Sequence, residues 1–443
     1  MTIDFLAGPG GRICGTSRVP GDKSISHRSI MLGAIAEGET RVSGFLKGED
    51  ALATMRIFRD LGVRIEGPER GVVVVHGVGL HGLAAPASAL ECGNSGTSMR
   101  LIAGLLAGQA FDSELTGDES LQRRPMRRVA EPLGLMGACI ETQDGFPPLK
   151  IYGNRSLRGI EYAMPVASAQ VKSALMLAGL YAEGETRIRE PAPTRDHTER
   201  MLGAFGRPVL RDGATVIVAG GLLKGTHIEV PADISSAVFF MVGASIAPGS
   251  DILLTDVGVN PTRSGAIDIL RLMGADIEVL NARSFGSEPV ADIRVRHARL
   301  RGIVIPKQLV PLAIDEFPVL FIAAANAQGE TVLGGAEELR VKESDRIQVM
   351  AEGLTELGVQ VEPRRDGLRI QGRGGKALGP SAYRGGRIHS RGDHRIAMAF
   401  AVAALRASAI IRILDCANVA TSFPGFIELA GHAGLAINPV RGE

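Results

Sequence analysis

Asp315, in IDEFP, and Glu343, in LRVKESDRI, are the carboxylates of this chain most suited to chemistry. Asp315 lies between the apolar Ile314 and Phe317, just ahead of Pro318, a residue tolerated in the first turn of a helix. Lys342, Glu343 and Arg346 are spaced to fall within one helical turn. There, either carboxylate is held ionised beside a cation or exchanges protons in a dry cleft. A surface ion-pair helix is the alternative for KESDR, and the apolar Leu339 and Val341 before it argue against that.

The cations follow a pattern of their own. GDKSISHR, CGNSGTSMR, ASAQVKS, ADISSAVFF, IDEFPVLF and GDHRIAMAF each open onto an apolar run rich in small residues. Lys23, Arg28, Arg100, Lys172 and Arg395 therefore fall at or near helix starts, with Asp22 and Asp393 as N-caps. A helix N-terminus already carries about half a positive charge, so cations there call for an anionic ligand. Gly93, Asn94, Gly96 and Thr97 let backbone N–H groups approach an anion closely. LQRRPMRR packs Arg123, Arg124, Arg127 and Arg128 around Pro125; it is either a solvated face or turns one planar guanidinium inward onto a carboxylate or phosphate. Ser168 and Gln170 in ASAQVKS, and Arg195 and Asp196 in PTRDHTER, are further polar candidates, each open to reading as an ordinary helix start or charged loop.

Composition narrows the partners. Lys and Arg number 49 against 48 Asp and Glu, so no global field draws in nucleic acid, and with no Trp, 4 Tyr and 14 Phe no base-stacking platform is expected. No Cys or His spacing suits a metal, and the four scattered cysteines read as reduced thiols. GRGGKALG at 372–379 fails as a P-loop because Ala377 follows the lysine, and GPGGRICG follows no strand, so neither ATP nor a dinucleotide is indicated. MTIDFLAGPGGRICG lacks the basic and apolar regions of a secretory signal, and the apolar runs are about half the length that crosses a bilayer. A cytoplasmic, monomeric enzyme without membrane contact, metal or cofactor is the expectation.

Beyond each opening cluster the same order recurs: apolar helix, Gly-containing turn such as AEGET or AQGET, β-rich stretch, second helix, then a Gly and another strand. The second signature, as in LGVRIE, LMGACIE, LMGADIEV and ELGVQVE, places its glycines roughly 70 to 85 residues apart. Six βαβαββ units are expected, in two groups of three. Pro231-Ala232-Asp233 repeats the arrangement of Pro20-Gly21-Asp22. Residues 1–20 with 233–443 are expected to form one lobe and 21–232 the other, hinged near 20–22 and 231–233 around a ligand cleft.

Taken together, GDKSISHR, GNSGTSMR, QRRPM, SAQVKS, RDHTER, IDEFP, LRVKESDRI and GDHRIAM resemble the 5-enolpyruvylshikimate-3-phosphate synthases, in order from about Val19 to Pro424. The resemblance implies a two-lobed, inside-out α/β barrel. It also implies transfer of the enolpyruvyl group of phosphoenolpyruvate to the 5-hydroxyl of shikimate 3-phosphate, releasing phosphate, on the route to chorismate and the aromatic amino acids. By that resemblance Lys23, Ser24, Arg28, Ser168, Gln170, Arg195, Asp315 and Lys342 hold shikimate 3-phosphate. Lys23, Gly96, Arg124, Gln170, Arg346 and Arg395 hold phosphoenolpyruvate. Asp315 is implied as base and Glu343 as acid, roles that can be exchanged or shared, with Lys23 assisting. Many members carry a lysine just before T-F-P or T-S-F-P, where this chain has Val419-Ala420-Thr421-Ser422-Phe423-Pro424. The RPM, SAQVKS, RDHTER and TSFP forms resemble the class II branch. Some of its members tolerate glyphosate, often with alanine at the position of Gly96; glycine here points to sensitivity.

The enolpyruvyl transferases acting on UDP-N-acetylglucosamine are the rival. They carry a Lys-Asn pair near the first helix and a cysteine in a mobile loop, whereas this chain has Lys23-Ser24 and no cysteine between Cys92 and Cys139. A non-catalytic anion binder of the same fold would gain nothing from Asp315 and Glu343.

Overall fold

All six opening clusters start helices: Lys23–Ile35, Gly96–Leu106, Ala169–Gly179, Ile234–Ile246, Phe317–Asn326 and His394–Ala403. This computed structural model describes residues 3–154, 156–376 and 386–442, so the end of GRGGKALG, 377–379, lies outside the described residues. Five of the helices are capped by the side chain just before them: Asp22, Ser95, Ser168, Asp233 and Asp393 each accept from a backbone N–H of the first turn. Phe317–Asn326 has no side-chain cap and carries Pro318 in its first turn, where the missing N–H costs nothing. The runs lack a polar face, so these helices are core: every residue of Ile234–Ile246 and of Phe317–Asn326 is buried. Each Phe or Ile removed from water there contributes about 1.5–3 kcal/mol.

The chain divides into two compact units, one of residues up to Pro20, Pro231–Arg283 and from Pro289 onward, the other of Gly21–Val230 with Ser284–Glu288. Each has its own apolar core.

In the unit built on 21–230, the sheets run, in order of pairing, His227–Glu229, Glu37–Ser43, Val72–Val78 and Arg64–Glu69; Leu90–Glu91, Ser113–Thr116, Phe146–Tyr152 and Cys139–Gln143; and Glu161–Ala163, Glu185–Arg189, Thr215–Ala219 and Leu210–Asp212. Each sheet begins with a parallel pair and continues antiparallel, as a βαβαββ repeat requires.

The other unit has the sheets Asp276–Phe285, Glu288–Arg296, Asp251–Gly258 and Cys14–Ser17; Gln328–Val332, Gly367–Arg373 and Gln360–Arg364; and Arg387–His389, Ile411–Leu414, Ile3–Ala7 and Ile437–Arg441. Cys14–Ser17 precedes the helix at Lys23 in sequence yet pairs in parallel with Asp251–Leu254. His227–Glu229 precedes the helix at Ile234 yet pairs with Arg41–Ser43. The two leading strands are thus exchanged between repeats.

The glycines of the second signature, Gly62, Gly137, Gly206, Gly274, Gly358 and Gly434, all have φ between +68° and +111°. Each ends the second helix of its repeat in the left-handed conformation that a side chain disfavours. Among the described residues, no helix is long and apolar enough to cross a membrane.

Candidate active site

In the unit built on 21–230, Lys23 is the first residue of its helix, and its Nζ lies 3.0 Å from Asp50 Oδ2. Arg28, one turn on and buried, donates from Nε to Thr198 Oγ1 at 2.7 Å, from Nη2 to Ser173 Oγ at 2.9 Å and from Nη1 to Ser24 O at 3.0 Å. These acceptors are neutral, and burial pushes the Arg28 guanidinium down to about 10, the nearby charge of Arg195 adding to the push and those of Glu199, Asp22 and Glu288 opposing it. Arg195 is half-buried in the loop before the helix His197–Ala204. Burial, with Lys23 and Arg28 alongside, also holds His27 well below the ordinary histidine range; its Nδ1 lies 2.7 Å from Thr54 Oγ1.

A second group surrounds Gly96, the first residue of its helix. A Cβ there would stand 3.2 Å from Arg100 Nη1 and 3.3 Å from Arg124 Nη1. Arg100 Nη1 donates to Gln170 Oε1 at 2.5 Å, and Gln170 Nε2 donates to Thr97 Oγ1 at 3.0 Å. Arg124 Nη2 donates to Asn94 Oδ1 at 2.7 Å, and Asn94 in turn to Asp118. Of the four arginines in LQRRPMRR, Arg124 alone is buried. Ser168 caps the helix Ala169–Gly179, its Oγ accepting from Val171 N at 3.4 Å.

In the other unit Arg346 is a buried hub. Its Nε donates to Asp393 Oδ2 at 2.8 Å, its Nη2 to Glu343 Oε2 at 2.6 Å and its Nη1 to Asp315 Oδ1 at 3.4 Å. Burial alone would lower its proton affinity, but the three carboxylates, Asp393 foremost, hold it above the usual arginine range. Asp315 Oδ1 also lies 3.3 Å from Lys342 Nζ. Arg395 Nη1 donates to Asp315 O at 3.1 Å and lies 3.6 Å from Glu316 Oε1, a buried carboxylate that also accepts from Ser235 Oγ. Arg263 Nη2 donates to that same hydroxyl at 2.6 Å.

Two expectations are corrected. Lys342, Glu343 and Arg346 do not share a helical turn: Glu337–Val341 is a short 3-10 helix, Lys342 turns extended at its end, and a new helix, Arg346–Glu356, starts after Asp345. Asp345 is the reason, its Oδ1 capping Gln348 N at 3.0 Å. Leu339 is buried as expected, but Val341 is 43% exposed. Lys172, read as a cation awaiting a ligand, is instead satisfied internally, its Nζ 3.0 Å from Glu190 Oε1 and 2.7 Å from Glu199 Oε1.

The sequence reading missed Asp50, Glu190, Glu199 and Glu316 as partners of these cations and took Asp393 only for a cap. A carboxylate abutting a fully apolar run, as Glu316 does before Phe317, is the one local signal that could have shown a buried partner. Ala420 is exposed on the short helix Val419–Ser422, next to Asn418, whose Nδ2 donates to Gly392 O at 2.9 Å. Among the described residues, no group of three or more His, Cys, Asp or Glu is arranged to hold a metal ion.

Residues 8–429 match the family model of EPSP synthase (3-phosphoshikimate 1-carboxyvinyltransferase). A 3-phosphoshikimate 1-carboxyvinyltransferase of Alkalilimnicola ehrlichii is 67% identical over 443 residues, covering 100% of this chain and 97% of that protein. One from Methylococcus capsulatus is 66% identical over 437 residues, 98% of each chain. The solved EPSP synthase of Acinetobacter baumannii is 57% identical over 100% of both chains, with a TM-score of 0.88. The enolpyruvyl transferase NikO of Streptomyces tendae, 16% identical with a TM-score of 0.80 over 100% of both chains, shares the fold. With nearly its whole length matched at such identity, this chain belongs to the EPSP synthase family.

Proposed function

We propose that the chain transfers the enolpyruvyl group of phosphoenolpyruvate to the 5-hydroxyl of shikimate 3-phosphate and releases inorganic phosphate. One observation carries the chemistry: Asp315 and Glu343 are joined through the single buried guanidinium of Arg346. Addition needs an alcohol deprotonated and an alkene protonated together, and two carboxylates sharing one cation supply a base and an acid.

Asp315, between Lys342 and Arg346, is a carboxylate ready to accept the proton of the 5-hydroxyl as its oxygen bonds to C2 of phosphoenolpyruvate. Glu343 delivers a proton to C3. The Arg346 guanidinium that pairs with it is also wanted by the incoming anion, and a carboxyl group left beside negative charge takes up a proton more readily. In the resulting tetrahedral intermediate the new methyl group returns a proton to the Glu343 carboxylate as the C2–O bond to phosphate breaks, with Lys23 beside the departing oxygens.

Shikimate 3-phosphate is assigned to Lys23, Ser24, Arg28, Ser168, Gln170, Arg195, Asp315 and Lys342. Phosphoenolpyruvate is assigned to Lys23, the Gly96 backbone, Arg124, Gln170, Arg346 and Arg395. Arg100 joins this second set, because its guanidinium flanks Gly96 beside that of Arg124. Hinges near 20–22 and 231–233, cytoplasmic residence, to which the four free thiols are suited, and a monomeric state complete the reading.

The test is phosphate release from phosphoenolpyruvate with shikimate 3-phosphate as acceptor, set against UDP-N-acetylglucosamine. Turnover with the first alone is expected; turnover with the second alone would overturn the assignment.

A further inference from the structure

Two of the buried arginines assigned to substrates, Arg346 and Arg28, are held in opposite ways. Arg346 is surrounded by three carboxylates. Arg28 is gripped by neutral oxygens only: Thr198 Oγ1, Ser173 Oγ and Ser24 O. The two hydroxyls also bond to each other at 2.8 Å. They therefore close a ring on the Nε–Nη2 edge of the guanidinium, and Ser24 O occupies one hydrogen of Nη1.

A guanidinium has five N–H donors in a fixed plane. Three are used, which leaves one on each terminal nitrogen without an acceptor among the described residues. The terminal edge of a guanidinium is the one that takes a carboxylate or phosphate in bidentate fashion. A carboxylate in place of either hydroxyl would have grasped the cation equally well, but it would have cancelled the charge an anionic ligand must meet. The depressed proton affinity of Arg28 fits a cation buried without a neutralising contact.

We propose that Thr198 and Ser173 are positioning residues, a neutral hydroxyl clamp that fixes the plane of Arg28 and leaves its terminal edge and full charge to an oxyanion of the acceptor substrate. The proposal rests on the assignment of Arg28 to shikimate 3-phosphate made above. Neither clamp residue was singled out for that site by the sequence. Ser173 follows Lys172 on the helix Ala169–Gly179, and Thr198 lies in the first turn of His197–Ala204.

The test compares Thr198→Val, Thr198→Ser and Arg28→Ala with the unaltered protein, by calorimetric binding of shikimate 3-phosphate and of shikimate, and by steady-state kinetics. Thr198→Val keeps the shape and removes the acceptor, so KM for shikimate 3-phosphate should rise about tenfold or more. KM for phosphoenolpyruvate should stay within about twofold, and Thr198→Ser should restore most of the loss. An equal loss of affinity for shikimate and for its phosphate places the substrate carboxylate on the terminal edge that the clamp leaves open; a loss confined to the phosphorylated ligand places the phosphate there.

Unchanged shikimate 3-phosphate binding in Thr198→Val overturns the clamp, as does failure of serine to rescue. If Arg28→Ala also binds normally, the site assignment itself falls; if Arg28→Ala loses binding while Thr198→Val keeps it, only the clamp falls. Should Thr198→Val not fold, Ser173→Ala is read against the same expectations.

Discussion

Replacing Gly96 by alanine separates binding from stability. The added methyl would lie 3.2 Å from Arg100 Nη1 and 3.3 Å from Arg124 Nη1. Comfortable contact starts at about 3.5 Å, so both guanidinium groups must retreat by a few tenths of an ångström. Neither moves freely, since Arg100 is held by Gln170 at 2.5 Å and Arg124 by Asn94 at 2.7 Å, and both arginines are buried. A hydrogen bond involving a charged group contributes about 1.5–3 kcal/mol, and losing roughly half of one costs about 1.4 kcal/mol, a factor of about ten in affinity. Gly96 has no positive φ, so alanine meets no backbone strain at this first position of the helix. Gly96→Ala should therefore keep Tm while raising KM for phosphoenolpyruvate about tenfold, with KM for shikimate 3-phosphate little changed. By the family resemblance, inhibition by glyphosate should weaken at least as much. Steady-state kinetics with each substrate varied in turn, beside a thermal melt, reads all of this. A KM for phosphoenolpyruvate within twofold of the parent, or equal losses for both substrates, would refute the crowding of these two cations as the cause.

Asp315→Asn and Glu343→Gln should each lower kcat by about a hundredfold or more while the melt stays near that of the parent; near-normal turnover in either variant removes that residue from proton transfer. Lys172→Met should behave in the reverse way. It takes the cation from Glu199, whereas Glu190 keeps Arg211, so about 3 kcal/mol of stability is lost in urea unfolding, and a small change would show Glu199 to be solvated. Stability should also fall as the pH drops below about 6.5. His27 is held neutral in the native state, so below its ordinary value the unfolded chain takes up a proton that the native chain refuses, costing up to about 1.4 kcal/mol per pH unit. His27→Gln should flatten that slope, and an unchanged slope would assign it to other groups.

The six helix starts were legible because a capping side chain, a small-residue run and a left-handed glycine are all local signals; the three agreed in five repeats, and at Phe317–Asn326 Pro318 stood in for the cap. The partners of the cations were not legible, because ion pairs inside a fold join residues far apart: Lys23 meets Asp50 across 27 positions and Arg346 meets Asp393 across 47. The clamp on Arg28 was hidden for the same reason, with Thr198 lying 170 residues away. Spacing also misled at KESDR. A charge-rich segment with helical periodicity looks continuous until Asp345 is recognised as a cap, and the turn it starts excludes Lys342 and Glu343.

The strand Ile3–Ala7 pairs with Ile411–Leu414 on one side and Ile437–Arg441 on the other, and Arg412 clasps Asp4 at 2.9 Å across 408 residues. During synthesis this stretch leaves the ribosome with no partner and waits until almost everything after it has been translated. The three repeats within 21–230 meet no comparable delay, because almost all of their strands pair inside that span. A premature stop before residue 411 would leave Ile3–Ala7 as an unpaired edge, exposing it to aggregation even where the earlier repeats have folded correctly.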